Sequence, residues 1–239
     1  MRIMVISSCT NKKAEEVDSP ITLDDFQNPE RLRRKEFELK AHGRAAGEMY
    51  TGRQHLCLMR GIAKVRAKFG RESVCLKIVS AGYGLISEDT TILPYDATFQ
   101  GMARPRARSW ARALGIADAV RKAIQGQPLV IFLLGESYLN AIDLPIASLP
   151  GQRLIFVAKP VLAGQLSAAG VTLVPAGEKE RKRFGDRHTA LKGRLFELYA
   201  ECLCDEGVSL WERTCADTTP ATFLGAADEG LRLESARRP

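Results

Sequence analysis

Four short polar segments carry the residue types from which a catalytic or binding site could be built. They are Ser8–Lys13, Ser80–Leu85, Pro94–Asp96 and Gly135–Tyr138. The first, second and fourth directly follow apolar runs that predict buried strands. Because parallel sheets bind ligands beyond the carboxyl ends of their strands, we expect these three segments to converge on one crevice.

The segment Ser80–Leu85, with the sequence Ser-Ala-Gly-Tyr-Gly-Leu, combines small residues with one aromatic ring. Ser80 and Gly82 would let the backbone approach a ligand closely, and Tyr83 offers a flat stacking surface and a hydroxyl group. The same pattern is typical of a tight turn in which the tyrosine covers the core. The segment lacks the Gly-Lys-Ser/Thr ending of a phosphate-binding loop. Both substrate binding and a simple turn are consistent with it.

Asp96 and Glu136 are the carboxylates that these segments offer for acid–base chemistry. A carboxylate in a rigid loop such as Pro94-Tyr95-Asp96 can orient a water molecule or stabilise a developing cation. An aspartate at this position can equally cap a turn. Glu136 opens a predicted helix, where it could act as an acid or base or bind an exocyclic amine. The following Ser137 could help to bind an anion or could be a plain helix cap.

The segment Ser8–Lys13 is rich in hydrogen-bond donors. Lys12 or Lys13 could hold a phosphate group. Cys9 could be a nucleophile, although no neighbouring His or Asp in the sequence would activate its thiol. A small-molecule hydrolase or transferase that uses Ser80 or Cys9 is a further hypothesis, but the Gly-x-Ser-x-Gly motif that would favour it is missing.

The chain is basic, with a formal net charge of +7 over 239 residues. One basic cluster, which stands at the start of a predicted helix, would repel the helix dipole unless an anion were bound there. Either cluster alone is usually a solvated face, but two clusters and the net charge together favour a nucleic acid as partner. The first cluster is Arg104, Arg106, Arg108 and Arg112, and the second is Lys179, Arg181, Lys182, Arg183, Arg187, Lys192 and Arg194. The aromatic residues that could stack on bases are Tyr50, Tyr83, Tyr95, Tyr138 and Phe184.

Apolar runs alternate with helical patterns, which predicts an α/β fold with a mostly parallel central sheet and helices on both faces. Asn28 is expected to cap the first long helix, with Pro29 at its first position. We expect one α/β domain over residues 1–206 and a C-terminal tail without periodicity over residues 207–239. The predicted strands are residues 2–7, 74–79, 129–134, 153–158 and 171–174, and the predicted helices are residues 31–40, 54–69, 104–125 and 188–204.

The six cysteines predict reduced thiols in the cytoplasm, because they form no Cys-x-x-Cys pair and no signal peptide precedes them. The apolar runs fall short of the ~18 residues that a membrane span needs. A zinc site is disfavoured, because Cys202 and Cys204 have no second matching pair and the three histidines lie far away. We expect no metal and no cofactor, and we take a monomer as the default state.

Four blocks of the sequence together resemble the uncharacterised DUF6884 family. They are Ser8–Lys13, Ala46–Arg53, Ile78–Ile86 and Ile92–Thr98, and they are similar to a family pattern S-C-x-x-x-K, A-x-x-L-Y-x-G, I-L-S-A-x-Y-G-L and I-x-P-Y-D-x-T. That family resembles the YaaA-type peroxide stress proteins, which bind DNA, and the uracil-DNA-glycosylase-like domain of archaeosine synthases. It is also similar to a bacterial antiphage DNA glycosylase that removes glucosylated hydroxymethylcytosine.

The resemblance implies a uracil-DNA-glycosylase-like fold with a base pocket at the strand ends. On this basis we predict a DNA N-glycosylase that excises a modified base from phage DNA as an antiviral defence, with Asp96 and Glu136 as catalytic residues. The alternative is a non-enzymatic DNA-binding protein of the stress response. The predicted substrate-binding residues are Ser8, Cys9, Lys12, Ser80, Gly82, Tyr83, Tyr95, Ser137 and Tyr138, and the predicted DNA-binding residues are Tyr50, Arg53, Arg104, Arg106, Lys182, Arg183 and His188.

Overall fold

A six-stranded sheet forms the centre of the computed structural model, which describes residues 1–185 and 190–237. Two further pairs of two-residue strands lie outside this sheet. In chain order the strands are β1 (Ile3–Ser8), β2 (Ile21–Thr22), β3 (Arg44–Ala45), β4 (Val74–Ser80), β5 (Gly84–Ser87), β6 (Thr91–Ile92), β7 (Tyr95–Asp96), β8 (Leu129–Leu133), β9 (Arg153–Ala158) and β10 (Val171–Pro175).

The predicted α/β fold with a mostly parallel sheet is confirmed. The strand order is β10-β9-β8-β1-β4-β5, and every neighbouring pair is parallel except β4 and β5. Every residue of β1 and of β8 is buried. Because successive side chains of a strand point to opposite faces, both faces of the sheet are covered at its centre. This double burial explains why the strands appear in the sequence as continuous apolar runs.

Helices fill the segments between and after the strands. The first long helix begins as predicted: the Asn28 side chain accepts hydrogen bonds from the backbone N–H groups of Glu30 and Arg31. Four short 3₁₀ helices cover residues 40–42, 71–73, 140–142 and 160–165. The α-helices are α1 (Leu23–Phe26), α2 (Pro29–Glu38), α3 (Ala46–Met49), α4 (Arg53–Phe69), α5 (Arg104–Ala113), α6 (Ile116–Ile124), α7 (Glu136–Leu139), α8 (Glu178–Phe184), α9 (Leu191–Glu206), α10 (Val208–Ala216) and α11 (Ala221–Ala236).

The prediction of one helix over residues 104–125 is wrong, because the structure contains two helices there. They are separated at Gly115, whose φ of +61° lies in the left-handed region, and a residue in that conformation ends a helix. Ile116 and Val120 of the second helix are buried, whereas Ala113 at the end of the first is exposed.

The segment after Gly207 is helical, which its sequence pattern did not indicate. Helix α11 packs against α9, where the rings of Tyr199 and Phe223 stack with centroids 4.6 Å apart and Arg194 forms an ion pair with Glu234. The segment is therefore docked on the domain by packed helices; the division of the chain at residue 206 stays a prediction. No helix of the described ranges is long and apolar enough to cross a membrane.

The connectivity reverses direction at β1. From this strand the chain passes to β4 and β5 on one side and then returns to β8 on the other. Loops that leave neighbouring strands in opposite directions open a crevice at the carboxyl ends of those strands, and such switch points are where α/β proteins bind ligands. The carboxyl ends of β1, β4 and β8 are therefore the place to look for a site.

Candidate active site at the strand ends

Side chains from the ends of β1, β4 and β8 meet at this switch point. Cys9 directly follows β1, Ser80 ends β4, and Tyr138 lies in α7, which follows β8. The Cys9 Sγ lies 3.0 Å from the Tyr138 hydroxyl, and the Ser80 Oγ lies 2.8 Å from the hydroxyl of Tyr95. The predicted convergence of the three loops is confirmed, and β7 contributes Tyr95 to it.

Ser80, Tyr95 and Tyr50 form a chain of hydrogen bonds, here called the hydroxyl chain. The Ser80 Oγ accepts hydrogen bonds from the backbone N–H groups of Gly82 and Tyr83, which engages both of its lone pairs. The Ser80 hydroxyl must therefore donate to Tyr95. The Tyr95 hydroxyl also lies 2.8 Å from the hydroxyl of Tyr50, and either of the two can be the donor. Because the Ser80 hydroxyl is fully engaged and 0 % exposed, Ser80 is unsuited to act as a nucleophile.

The phenols of this site remain neutral at physiological pH. Burial raises the pKa of Tyr50, Tyr95 and Tyr138 well above its ordinary value, and negative charge on the nearby Cys9 would raise each pKa further. Neutral phenols are hydrogen-bond donors and not bases. These side chains can therefore orient a ligand or donate to an oxyanion, but they cannot remove a proton.

Lys13 brings a cationic amine to the same site. Its Nζ lies 4.3 Å from the centre of the Tyr95 ring and 3.4 Å from the backbone oxygen of Asn11. Partial burial lowers the pKa of the Lys13 ammonium, and the charges of Cys9 and Asp96 oppose that shift. The ring face also favours the ammonium form. Lys12 was predicted to bind the substrate, but its side chain is exposed and Lys13 is the lysine that reaches the hydroxyl chain.

The loop that carries Lys13 is held against the segment before α4. Lys13 and Tyr50 form an isolated antiparallel β-bridge, and the backbone N–H of Ala14 donates to the Met49 oxygen over 2.8 Å. A Cβ atom at Gly52 would lie 2.6 Å from the Thr10 Cβ. The segment Ala46–Arg53, one of the four that resemble the family pattern, therefore holds the Lys13 loop in place.

Asp96 is an exposed carboxylate at the rim of the hydroxyl chain. It lies in β7, which pairs with β2 at Thr22, and it is close enough to Lys13 to raise the pKa of that amine. Because this carboxylate is exposed, a ligand that binds from solvent beside the half-buried amine can contact it. Asp96 thus has the accessibility that its predicted catalytic role requires.

Gly82 and Tyr83 both contact other residues of the protein. A Cβ atom at Gly82 would lie 2.5 Å from the ring of Phe26, so the space that the missing side chain leaves is filled by protein and not by a ligand. The Tyr83 ring packs edge-on against Phe26 and Tyr95, and its hydroxyl accepts a hydrogen bond from the Leu93 N–H. Gly82 therefore fits the alternative of a tight turn. Tyr83 packs on its neighbours but remains partly exposed to solvent.

Helix α7 begins at Glu136, as predicted. Glu136 is exposed and lies 3.6 Å from Arg104, so these two predicted site residues form an ion pair with each other. The residue that caps α7 is Gly135 and not Ser137. Ser8 is 8 % exposed, at the end of β1.

The predicted DNA-binding residues that the structure describes differ in exposure and in ion pairing. Tyr50 is only 1 % exposed and belongs to the hydroxyl chain. In the second basic cluster, Arg181 pairs with Glu178 and Arg183 with Asp228, so acidic partners neutralise much of it. Arg53, Arg106 and Lys182 are exposed, Phe184 is 1 % exposed, and His188 lies outside the described residues.

Two adjoining cavities, which the sequence pattern alone did not indicate, are lined by residues of α5 and of the segment that starts at Leu139, directly after Tyr138. No residue of the hydroxyl chain lines either cavity. Their volumes are about 470 and 350 Å³, and Arg108 lines both. Arg112 lines the larger cavity, and Arg104, the partner of Glu136, lines the smaller one. Helix α5, which carries these arginines, is tied to the site because Trp110 donates a hydrogen bond to the Ala81 oxygen over 2.7 Å.

Metal-binding groups are sparse in the described part of the chain. No set of three or more His, Cys, Asp or Glu side chains in residues 1–185 and 190–237 could hold a metal ion. All six cysteines are free thiols.

Comparisons with known proteins give one match. No curated protein and no solved structure matches the chain. Residues 38–154 match the model of DUF6884, a family of unknown function. This range contains Tyr50, Ser80, Tyr95, Asp96 and Tyr138, but not Lys13. The chain is thus similar to this family over residues 38–154.

Proposed function

We propose that this protein is a DNA N-glycosylase that excises a modified base, such as glucosylated hydroxymethylcytosine of phage DNA, as an antiviral defence. The observation that carries the proposal is the position of Asp96. Its exposed carboxylate lies beside Lys13 at a strand-end site of neutral phenols. Cleavage of an N-glycosidic bond develops positive charge on the sugar, and a carboxylate placed there stabilises that charge or orients the attacking water.

The surroundings of Asp96 fit a flipped-out nucleotide. The partly exposed ring of Tyr83 offers an aromatic face to the base, and the Arg104–Glu136 pair could open to grip a phosphate and the edge of the base. Arg108 and Arg112 line the adjoining cavities, where they could hold the phosphates of the neighbouring nucleotides. A uracil-DNA-glycosylase-like fold and a cytoplasmic location belong to the same proposal.

The test uses DNA duplexes that contain uracil, hydroxymethylcytosine or glucosylated hydroxymethylcytosine. We expect alkali-labile abasic sites with at least one of them, and Asp96→Asn should slow their formation about 100-fold or more. Asp89→Asn is the matched control, because Asp89 is also an exposed carboxylate but pairs with Arg71 on the surface. DNA binding should be unchanged in both variants.

The outcomes separate the proposal from its alternative. If the protein binds all duplexes but forms no abasic sites, the alternative of a non-enzymatic DNA-binding protein is favoured. The arginines of α5 are the feature that supports this alternative. Abasic sites that form equally fast with Asp96→Asn would remove Asp96 from the mechanism. If the protein neither binds the duplexes nor excises a base from them, both functions are excluded.

A further inference from the structure

Lys13 is an amine held in place inside the candidate active site. Its backbone bridges to Tyr50, its Nζ lies 4.3 Å from the centre of the Tyr95 ring, and its charge interacts with that of Asp96. A lysine whose task was only to attract phosphate would extend into solvent, as Lys12 does. A ligand that bound beside both Asp96 and Tyr95 would therefore touch the Lys13 amine.

We infer that Lys13 is a nucleophile that forms an imine with the C1′ aldehyde of an abasic deoxyribose, and that the protein thereby cleaves the DNA strand after it has removed the base. This inference rests on the proposed function, because the abasic sugar is the product of base excision. It goes further in assigning a second activity, strand cleavage by elimination, and a covalent intermediate to a named residue.

The reaction needs only the amine, the carboxylate and water. The Nζ lone pair forms a bond to C1′ and the aldehyde oxygen takes up a proton; loss of that oxygen as water completes the C=N bond. The C2′ proton then passes to the Asp96 carboxylate, and its electron pair forms a C2′=C3′ double bond. The C3′–O bond breaks and the 3′ phosphate leaves with the bonding electrons. Water finally hydrolyses the imine and regenerates Lys13.

Two features of the site support this chemistry. Burial lowers the pKa of the Lys13 ammonium, so a larger fraction of the amine is neutral and nucleophilic than for an exposed lysine. The imine is protonated when it forms and keeps a positive charge at Nζ. The face of the Tyr95 ring, which now holds the ammonium, would stabilise that charge at the same place.

The experiment is reductive trapping with borohydride, which converts the imine to a stable amine. The substrate is a duplex with an abasic site prepared beforehand by enzymatic removal of uracil. We expect a covalent protein–DNA adduct that peptide mass spectrometry maps to Lys13. Lys13→Arg keeps the charge but removes the nucleophile and should lower adduct formation at least about tenfold. Lys40→Arg, which changes an exposed lysine outside the candidate site, should leave it unchanged.

The design separates this inference from the proposed function. The prepared abasic site bypasses base excision, so an adduct on Lys13 without excision of any base would contradict the glycosylase alone. Excision without an adduct would contradict the inference alone. An adduct that maps to Lys12 or to the N-terminal amine would also overturn it, and mapping on the wild-type protein does not depend on the folding of any variant.

Discussion

The side chains of the candidate site divide into neutral donors and charged groups. Tyr50, Tyr95 and Tyr138 keep their protons because burial raises their pKa. Asp96 and Lys13 supply the charges at the rim. This division suits a reaction in which a carboxylate and an amine do the chemistry while the phenols fix the position of the ligand.

The buried phenol of Tyr83 predicts a loss of stability in alkaline solution. Burial raises its pKa from 10.0 to about 12, so the folded state holds a proton that the unfolded chain releases. The stabilisation from this group is complete below pH 10 and is lost as the pH rises toward 12. The free energy of unfolding of wild type relative to Tyr83→Phe should therefore fall by about 1 kcal/mol between about pH 9 and about pH 11.

Urea unfolding of both proteins at each pH measures this difference. At neutral pH the variant should be less stable by about 1 kcal/mol, because the Leu93 N–H loses its acceptor. Parallel alkaline destabilisation of the two proteins would show that Tyr83 ionises alike in the folded and unfolded states, and the argument from its burial would fail.

Individual site residues could be predicted from the sequence only where the strand ends position them. Cys9, Ser80 and Tyr138 each follow an apolar run by one to several residues, so parallel strand geometry brings them together. The choice between Lys12 and Lys13 depends on the local β-bridge to Tyr50, a contact between loops for which the sequence has no periodic signal. The ring of Tyr50 is buried where it packs edge-on against His55 and Tyr95.

At the scale of the elements, the five parallel strands were predictable because each contains an apolar run. Every residue of β1 and β8 is buried, whereas alternate residues of β10 are only half-buried. The antiparallel β5 was missed, because Gly84–Ser87 is short and follows directly on a turn. The break between α5 and α6 depends on the positive φ of Gly115. A single glycine in a helical sequence pattern does not show whether its φ will be positive. The C-terminal helices were missed because α11 buries mostly small residues such as Ala226, Ala227 and Gly230 against α9.

The docking of α11 predicts opposite effects for two glycines of the same helix. Gly225 has open space around its missing Cβ, so Gly225→Ala should stabilise the protein by about 0.5–1 kcal/mol through helix propensity. A Cβ at Gly230 would overlap the Leu198 carbonyl of α9, so Gly230→Ala should destabilise it by about 1–3 kcal/mol. Urea unfolding measures both, and equal stabilisation by the two variants would mean that α11 is not packed on α9 as described.

At the scale of the whole molecule, the net charge of +7 is distributed unevenly. Acidic partners on α8 and α11 neutralise Arg181 and Arg183 of the second basic cluster. Arg108 and Arg112 of α5 line the cavities beside the candidate site, and within the described ranges neither forms an ion pair. Position rather than total charge should therefore decide where a polyanion binds.

This distribution predicts which arginines set the salt dependence of DNA binding. Each phosphate contact contributes about 0.9 to the slope of log affinity against log salt concentration, so Arg108→Gln/Arg112→Gln should lower the slope by about 1.8. The control Arg181→Gln/Arg183→Gln removes the same net charge from residues that are already paired, and its slope should change by less than about 0.5. Fluorescence anisotropy titrations of one labelled duplex at several salt concentrations measure both slopes. Equal losses in the two double variants would mean that net charge alone attracts the DNA, and a loss only in the control would place the DNA on α8, away from Asp96 and Lys13.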